Sequence, residues 1–344
     1  MKKSYIVLVL FSLCVSFAFF SPKTKSIKFI VPKGWPKPVY DFSKNPLTEE
    51  GFKLGSALFY DPILSRDHSI SCAGCHLPFT AFTHADHSLS HGINGKIGTR
   101  NSSALINLAW SKSFMWDGGV NNLEVQPINP LTNPLEMDSK LPDVVKELNQ
   151  SAKYRRLFYK AFNDSVVTSQ LLLKALAQFT SQLNSYNSKY DSIMRHEKNV
   201  AFTENEKNGY ALFKKNCSSC HSEPLFTNHS FQNNGLPVDT FLKDYGRIKI
   251  TRNANDSLKF RVPTLRNIEF SAPYFHDGRV NKLKDVLEHY STGIVPSASL
   301  AAQLKSGIAL TKQERKDLIA FLKTLTDKAF MYNIRFRYNY SDSN

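Results

Sequence analysis

Apolar positions recur at helical spacing in two stretches of the chain, and each stretch defines one face. Between Leu171 and Leu183, the residues Leu172, Ala175, Leu176, Phe179 and Leu183 fall three and four apart, which predicts an amphipathic helix. Near the C-terminus Leu318, Leu322 and Leu325 repeat the pattern behind Thr311-x-x-Glu314, a pair with the spacing of a capping box. Thr203 and Glu206 have the same spacing and predict another helix start. The segments between these patterns are rich in Gly, Pro and Asn and read as loops. Helices dominate.

Setting the two halves side by side exposes an internal repeat. Leu47-Thr48-Glu49-Glu50 and Ala57-Leu58-Phe59 lead into Cys72-Ala73-Gly74-Cys75-His76. In the second half Phe202-Thr203-Glu204-Asn205 and Ala211-Leu212-Phe213 lead into Cys217-Ser218-Ser219-Cys220-His221. A second pair of blocks begins at Arg100 and at Arg261. Asp117-Gly118 and Asp277-Gly278 then register together, which sets Trp116 opposite His276.

Four of the five cysteines sit in these two C-x-x-C-H motifs. In such a motif two thiols add to the vinyl groups of a haem, and the histidine ligates its iron. A zinc ribbon would bring its two pairs to within about 15–20 residues of each other, whereas Cys72 and Cys217 are 145 positions apart. The reading is therefore an all-α protein of two cytochrome c-like domains, each with one covalently bound haem c. The expected boundaries are 40–198 and 199–335, joined through the polar stretch 188–200.

Composition adds limits. At 344 residues, with 42% apolar and 21% charged residues, the chain can bury two cores and carries no signature of disorder. The formal charge of +15 raises the question of nucleic acid, but Lys and Arg are scattered rather than gathered in a stripe, and no nucleic-acid partner is expected. The excess favours an acidic partner or an anionic surface. Lys2 and Lys3 precede an apolar run from Tyr5 to Phe20, the layout of a signal peptide over 1–21. The expectation is export to the periplasm, with an uncleaved membrane tether as the second reading.

Further blocks carry a resemblance: Gly-x-x-Gly-x-Arg-Asn (95–101), Phe-Met-Trp-Asp-Gly (114–118), Asn-Pro-Leu-Glu-Met (133–137), and Val-Pro-Thr-Leu-Arg-Asn through Ala-Pro-Tyr-Phe-His-Asp-Gly (262–278). With the two haem motifs, they make the chain resemble the bacterial di-haem cytochrome c peroxidase family, which includes the MauG-type enzymes. The resemblance runs from about Leu47 to Thr326 and implies a set of roles. His76 and His221 would be the proximal iron ligands, and peroxide would react at the N-terminal haem. His91 would be a displaceable distal ligand there, with His84 and His87 as competitors. Glu136 would be the acid/base group, able to move a proton between the two peroxide oxygens. Trp116 would carry electrons between the haems, while Trp110 matches no block and reads as core. A calcium ion would take the Asn101 side chain and the carbonyls of Ser271 and Pro273.

At the C-terminal haem the chain departs from the common pattern. No methionine lies between Cys220 and Phe330, and the family position falls on Tyr290, as in MauG-type enzymes. Leu283, Val286, Leu287 and Tyr290 share the inward face of a helix, while His289 points off it. The implied function is reduction of hydrogen peroxide with electrons from a small redox protein, a cytochrome c or a cupredoxin. Two rivals follow: oxidation of an aromatic side chain on a partner protein, and electron carriage without catalysis. The resemblance leaves a homodimer open.

Overall fold

The structure is a computed structural model and describes residues 24–338; the leader segment falls outside them. Helices dominate the described residues, among which one two-residue antiparallel ladder pairs Phe231–Gln232 with Phe260–Arg261. No helix among the described residues is long and apolar enough to cross a membrane.

Each half is built on two crossing helices. In the first half, Glu49–Tyr60 starts at Thr48, whose hydroxyl accepts from the Gly51 N–H at 3.0 Å, and packs on Ser169–Thr180. In the second, Glu204–Asn216 packs on Lys312–Lys323, and both begin with the capping boxes expected from Thr203/Glu206 and Thr311/Glu314. A glycine sits at each crossing. A Cβ on Gly55 would lie 2.1 Å from the Ala175 carbonyl oxygen, and one on Gly209 would lie 2.0 Å from that of Asp317. Only glycine lets two backbones approach so closely. Gly55 and Gly209 stand two residues before the matched Ala-Leu-Phe triplets, so the repeat extends to the packing.

The cores differ in where their residues come from. Phe52, Leu58, Phe59, Phe158, Leu172, Leu176 and Phe179 form the first, and the C-terminal residues Phe330, Met331 and Phe336 complete it. Phe213, Phe226, Leu287, Leu318, Phe321 and Leu325 form the second, with Tyr190 from the joining segment. That segment is ordered around the helix Lys189–Met194, and its Asp191 takes both Arg266 guanidinium nitrogens at 2.8 Å in a buried pair. Trp110 is core: it packs on Trp35 and Phe29 and donates from Nε1 to the Pro36 carbonyl at 2.7 Å.

Two candidate haem centres and the residues between them

Each C-x-x-C-H segment is one tight turn. The His76 N–H donates to the Cys72 carbonyl at 3.0 Å, and the His221 N–H to that of Cys217 at 2.9 Å. This bond, four residues back, gathers both thiols and the imidazole. No disulfide joins these four cysteines. Burial pushes the Cys72 and Cys217 thiols up to about 12, unlike the depressed values that mark redox-active pairs.

Both imidazoles are oriented from behind. His76 Nδ1 meets the Phe82 carbonyl at 2.7 Å; His221 Nδ1 meets those of Phe226 and Pro263 at 3.2 and 3.1 Å. A carbonyl at Nδ1 fixes the proton there and leaves Nε2 as the free donor atom, the usual outer-sphere partner of a ligating histidine. Burial lowers both rings to about 4, so both are neutral.

Around Cys72–His76 the chain brings together two of the expected residues. The His91 carbonyl accepts from Cys75 Sγ at 3.5 Å, while its imidazole is exposed. The next residue, Gly92, lies against Leu135 and Glu136, where a Cβ would come within 2.1 Å of the Leu135 oxygen. The Ile93 N–H donates to the Glu136 carbonyl at 2.8 Å. Burial raises the affinity of the Glu136 carboxyl for its proton, and a 2.8 Å bond from Asn133 Nδ2 partly opposes this. Burial raises the Cys75 thiol as well, and the nearby Glu136 charge adds to it.

Around Cys217–His221 one cavity is lined by the motif together with Trp116, His229, Arg261 and Tyr290. Tyr290 lies in a single wide π-turn, His289–Gly293, and burial pushes its phenol up to about 12. Such turns add a residue to the helix and cluster at functional sites. His289 does not line this cavity; it is buried against another segment, where its Nε2 meets the Asn234 carbonyl at 3.0 Å. Met331 packs in the first core, away from this cavity.

Asn101 and Trp116 join the halves. Trp116 Nε1 donates to the Asn101 carbonyl at 2.8 Å, and the Trp116 carbonyl accepts from the Arg261 N–H at 2.7 Å. The Asn101 N–H donates to the His276 carbonyl at 2.8 Å, and its Nδ2 to those of Pro273 and Phe275 at 2.6 and 3.1 Å. Its Oδ1 is buried without a partner. Ser271 and Pro273 line the same cavity. His276, opposite Trp116 in the repeat, stacks on Phe260 at 3.7 Å.

Reading the sequence missed three residues. Arg100 bridges the halves, donating to Asp117 at 2.6 Å and to Asp244 at 2.6 and 3.0 Å. Arg261 and His229 were missed too. The Arg261 guanidinium is buried with no carboxylate among the described residues, and burial lowers it to about 10. Both His229 ring nitrogens are buried without partners. A buried cation without an anion is costly, and a haem in this cavity brings two propionates. The donor set therefore fits that cofactor. The signal was present in the repeat, since Arg100 and Arg261 open the two matched blocks.

Comparison with known proteins decides the family. The di-haem cytochrome c peroxidase profile matches residues 49–199, and the cytochrome c profile matches 206–326. Methylamine utilization protein MauG of Methylorubrum extorquens is 35% identical over 309 residues, covering 87% of this chain and 83% of that protein. The chain belongs to the di-haem cytochrome c peroxidase family. Its cytochrome c domains imply covalently bound haem c. Cytochrome c551 peroxidase of Nitrosomonas europaea, another relative, is 34% identical over 278 residues, 80% of this chain and 79% of its own length. The crystal structure of a MauG-like protein associated with microbial copper homeostasis matches with a TM-score of 0.81 at 32% identity, over 91% of this chain and 99% of that one.

Proposed function

We propose that this chain is a di-haem peroxidase that reduces hydrogen peroxide to two waters, taking two electrons from a small donor protein and two protons. The observation that carries the reading is the convergence of Glu136, the His91 turn and Cys72–His76 at one place. A half-buried carboxyl with raised proton affinity can accept the proton of one peroxide oxygen and return it to the departing one. Cys72, Cys75 and His76 in the first half, and Cys217, Cys220 and His221 in the second, would each hold a haem c, whose iron would supply the electron exchange. His91, whose turn lies beside Cys75, would be a displaceable ligand to the iron at His76. Trp116 spans the ground between the halves, where an oxidisable indole shortens the electron's path, and Arg261 with His229 would hold propionates at the second motif. Asn101 Oδ1, with the carbonyls of Ser271 and Pro273, is the proposed seat of a calcium ion. An amide turned about its axis would point that unpartnered oxygen at the Pro273 carbonyl side. The leader pattern supports export to the periplasm.

Tyr290 favours a second reading, in which peroxide drives oxidation of an aromatic side chain on a partner protein. The Tyr290 phenol lies on the cavity wall and, on giving up its proton to bind iron, would be an anionic ligand that favours the higher oxidation state. The test is peroxide-dependent oxidation of a reduced small cytochrome by the purified protein, whose mass should exceed that of the bare chain by two haems. Turnover with that donor supports the first reading. Peroxide consumption that occurs only alongside an oxidised partner protein selects the second, and a mass gain of one haem overturns the proposed cofactor content.

A further inference from the structure

The loop 84–91 holds a cluster that the peroxide reading does not use. His84 is 1% exposed, and neither of its ring nitrogens has a partner; His87 Nδ1 is also buried and unpartnered. The two rings lie 4.2 Å apart between centroids. Asp86 points its carboxylate at the same place, with Oδ1 3.4 Å from His87 Nε2. One ligand atom from each of the three side chains lies within 4.8 Å of the other two. An imidazole that gives up water on both nitrogens and gains nothing is an expensive burial. Two imidazoles and a carboxylate gathered this way are the donor set of a borderline divalent cation.

The loop is held before any cation arrives. The Ser90 N–H donates to the Arg100 carbonyl at 3.0 Å, and the Ser90 carbonyl accepts from Gly98 at 2.7 Å. Gly278, at φ +66°, lies so close to the Ser88 carbonyl that a Cβ there would come within 2.1 Å of it. A second domain therefore braces the middle of the loop. A preformed ligand set loses less free energy on binding than one that must be ordered.

We infer that His84, Asp86 and His87 bind one first-row divalent cation of the zinc or copper class. Ligand bonds of about 2.0–2.2 Å make a four-coordinate site with an open fourth position. The His87–Asp86 spacing already suits such bonds, and His84 closes on them by side-chain rotation. Nitrogen ligands disfavour calcium and magnesium, which take oxygen, and affinity should be higher for copper(II) than for zinc. The site is separate from the Asn101 calcium seat. Its bound ion would fix His87, on whose ring His91 stacks at 3.8 Å, so it would also set where the His91 turn rests.

The test is calorimetric titration of the haem-loaded protein with Zn²⁺, a redox-silent probe, beside Ca²⁺ as control. One Zn²⁺ per chain is expected, not displaced by excess Ca²⁺. His87→Ala should weaken it by roughly 100-fold or more, since outer-sphere changes alone cost about 10–100-fold. Asp86→Asn alters an exposed side chain without touching the buried packing, and should weaken binding as well even if His84→Ala fails to fold. His91→Ala should still take up the ion. Absence of Zn²⁺ uptake, or uptake unchanged by both His87→Ala and Asp86→Asn, overturns the inference. So does an altered haem spectrum in His87→Ala with Zn²⁺ binding intact, which would make that histidine an iron ligand instead.

Discussion

The two halves start from the same plan and diverge behind the proximal histidine. Each has a capped helix pair crossing at a glycine, a C-x-x-C-H turn and an imidazole held through Nδ1 by backbone carbonyls. In the first half two segments meet beside that turn, one carrying an exposed His91 and the other a half-buried Glu136. In the second, a cavity lies beside the turn, and its wall carries Tyr290 on a π-turn. The matched arginines diverge likewise: Arg100 is fully engaged by Asp117 and Asp244, whereas Arg261 has no carboxylate partner among the described residues. Duplication supplied two metal-binding turns. Their opposite walls differ: one carries a carboxyl of raised proton affinity, the other a buried arginine without a carboxylate partner among the described residues.

The sharpest way to break that contrast is Glu136→Gln. Loss of an acid/base group typically costs about 100- to 10,000-fold in rate. Peroxide turnover should fall by that much while the haem spectra stay unchanged; full activity would leave the first half without its distinguishing group. The acid limb of wild-type turnover should also lie above the ordinary carboxylate range, because burial raises the carboxyl, and activity is lost as pH falls through that raised value.

Arg100→Leu tests the joint between the halves. It strands Asp117 and Asp244 away from water, and removing one partner of a buried pair costs about 3–5 kcal/mol. The low end applies, since Lys249 remains 3.1 Å from Asp244. Burial works to raise Asp244, but hydrogen bonds and charge from Arg100 outweigh it and hold the carboxyl well below its usual range. A depressed carboxylate contributes stability above its unfolded value, about 3.9, and loses it as pH falls further. The gap between wild type and variant, measured by denaturant unfolding at pH 7, should therefore shrink below about pH 4. A gap independent of pH would place the effect elsewhere.

Trp116→Phe keeps most of the packing volume but removes the Nε1 bond to Asn101 and the oxidisable indole. Steady-state turnover with a protein donor should drop about tenfold (~1.4 kcal/mol in barrier), while the first reaction with peroxide survives. Unchanged turnover would make Trp116 a packing residue.

The smallest effect on turnover is expected from Tyr290→Met, which asks whether the second half owes its character to the phenol. A thioether raises haem potential where an anionic oxygen lowers it. Redox titration should show one of the two midpoints moving up and the other staying. If neither moves, Tyr290 is not a ligand.

Much of this protein is local and could be read from the chain. Holding a haem by two thioethers and one iron ligand needs two thiols and a histidine within one turn, so the motifs announce themselves. Capping boxes and apolar periodicity are equally short-range, and Thr203, Thr311 and the face of Leu172 to Phe179 fold as their spacing requires. Tertiary structure alone decided what distant segments do to one another. Met331 packs in the first core because the chain returns there after the second domain is complete. His289 is buried because the distant Asn234 and Phe275 segments pack on its ring. Asn101 looks like an ordinary loop residue, yet it touches Trp116 and the 273–276 segment at once. The unpartnered nitrogens of His84 and His229 are likewise invisible in sequence. Whether a polar group is satisfied depends on everything packed around it, and spacing along the chain carries no record of that.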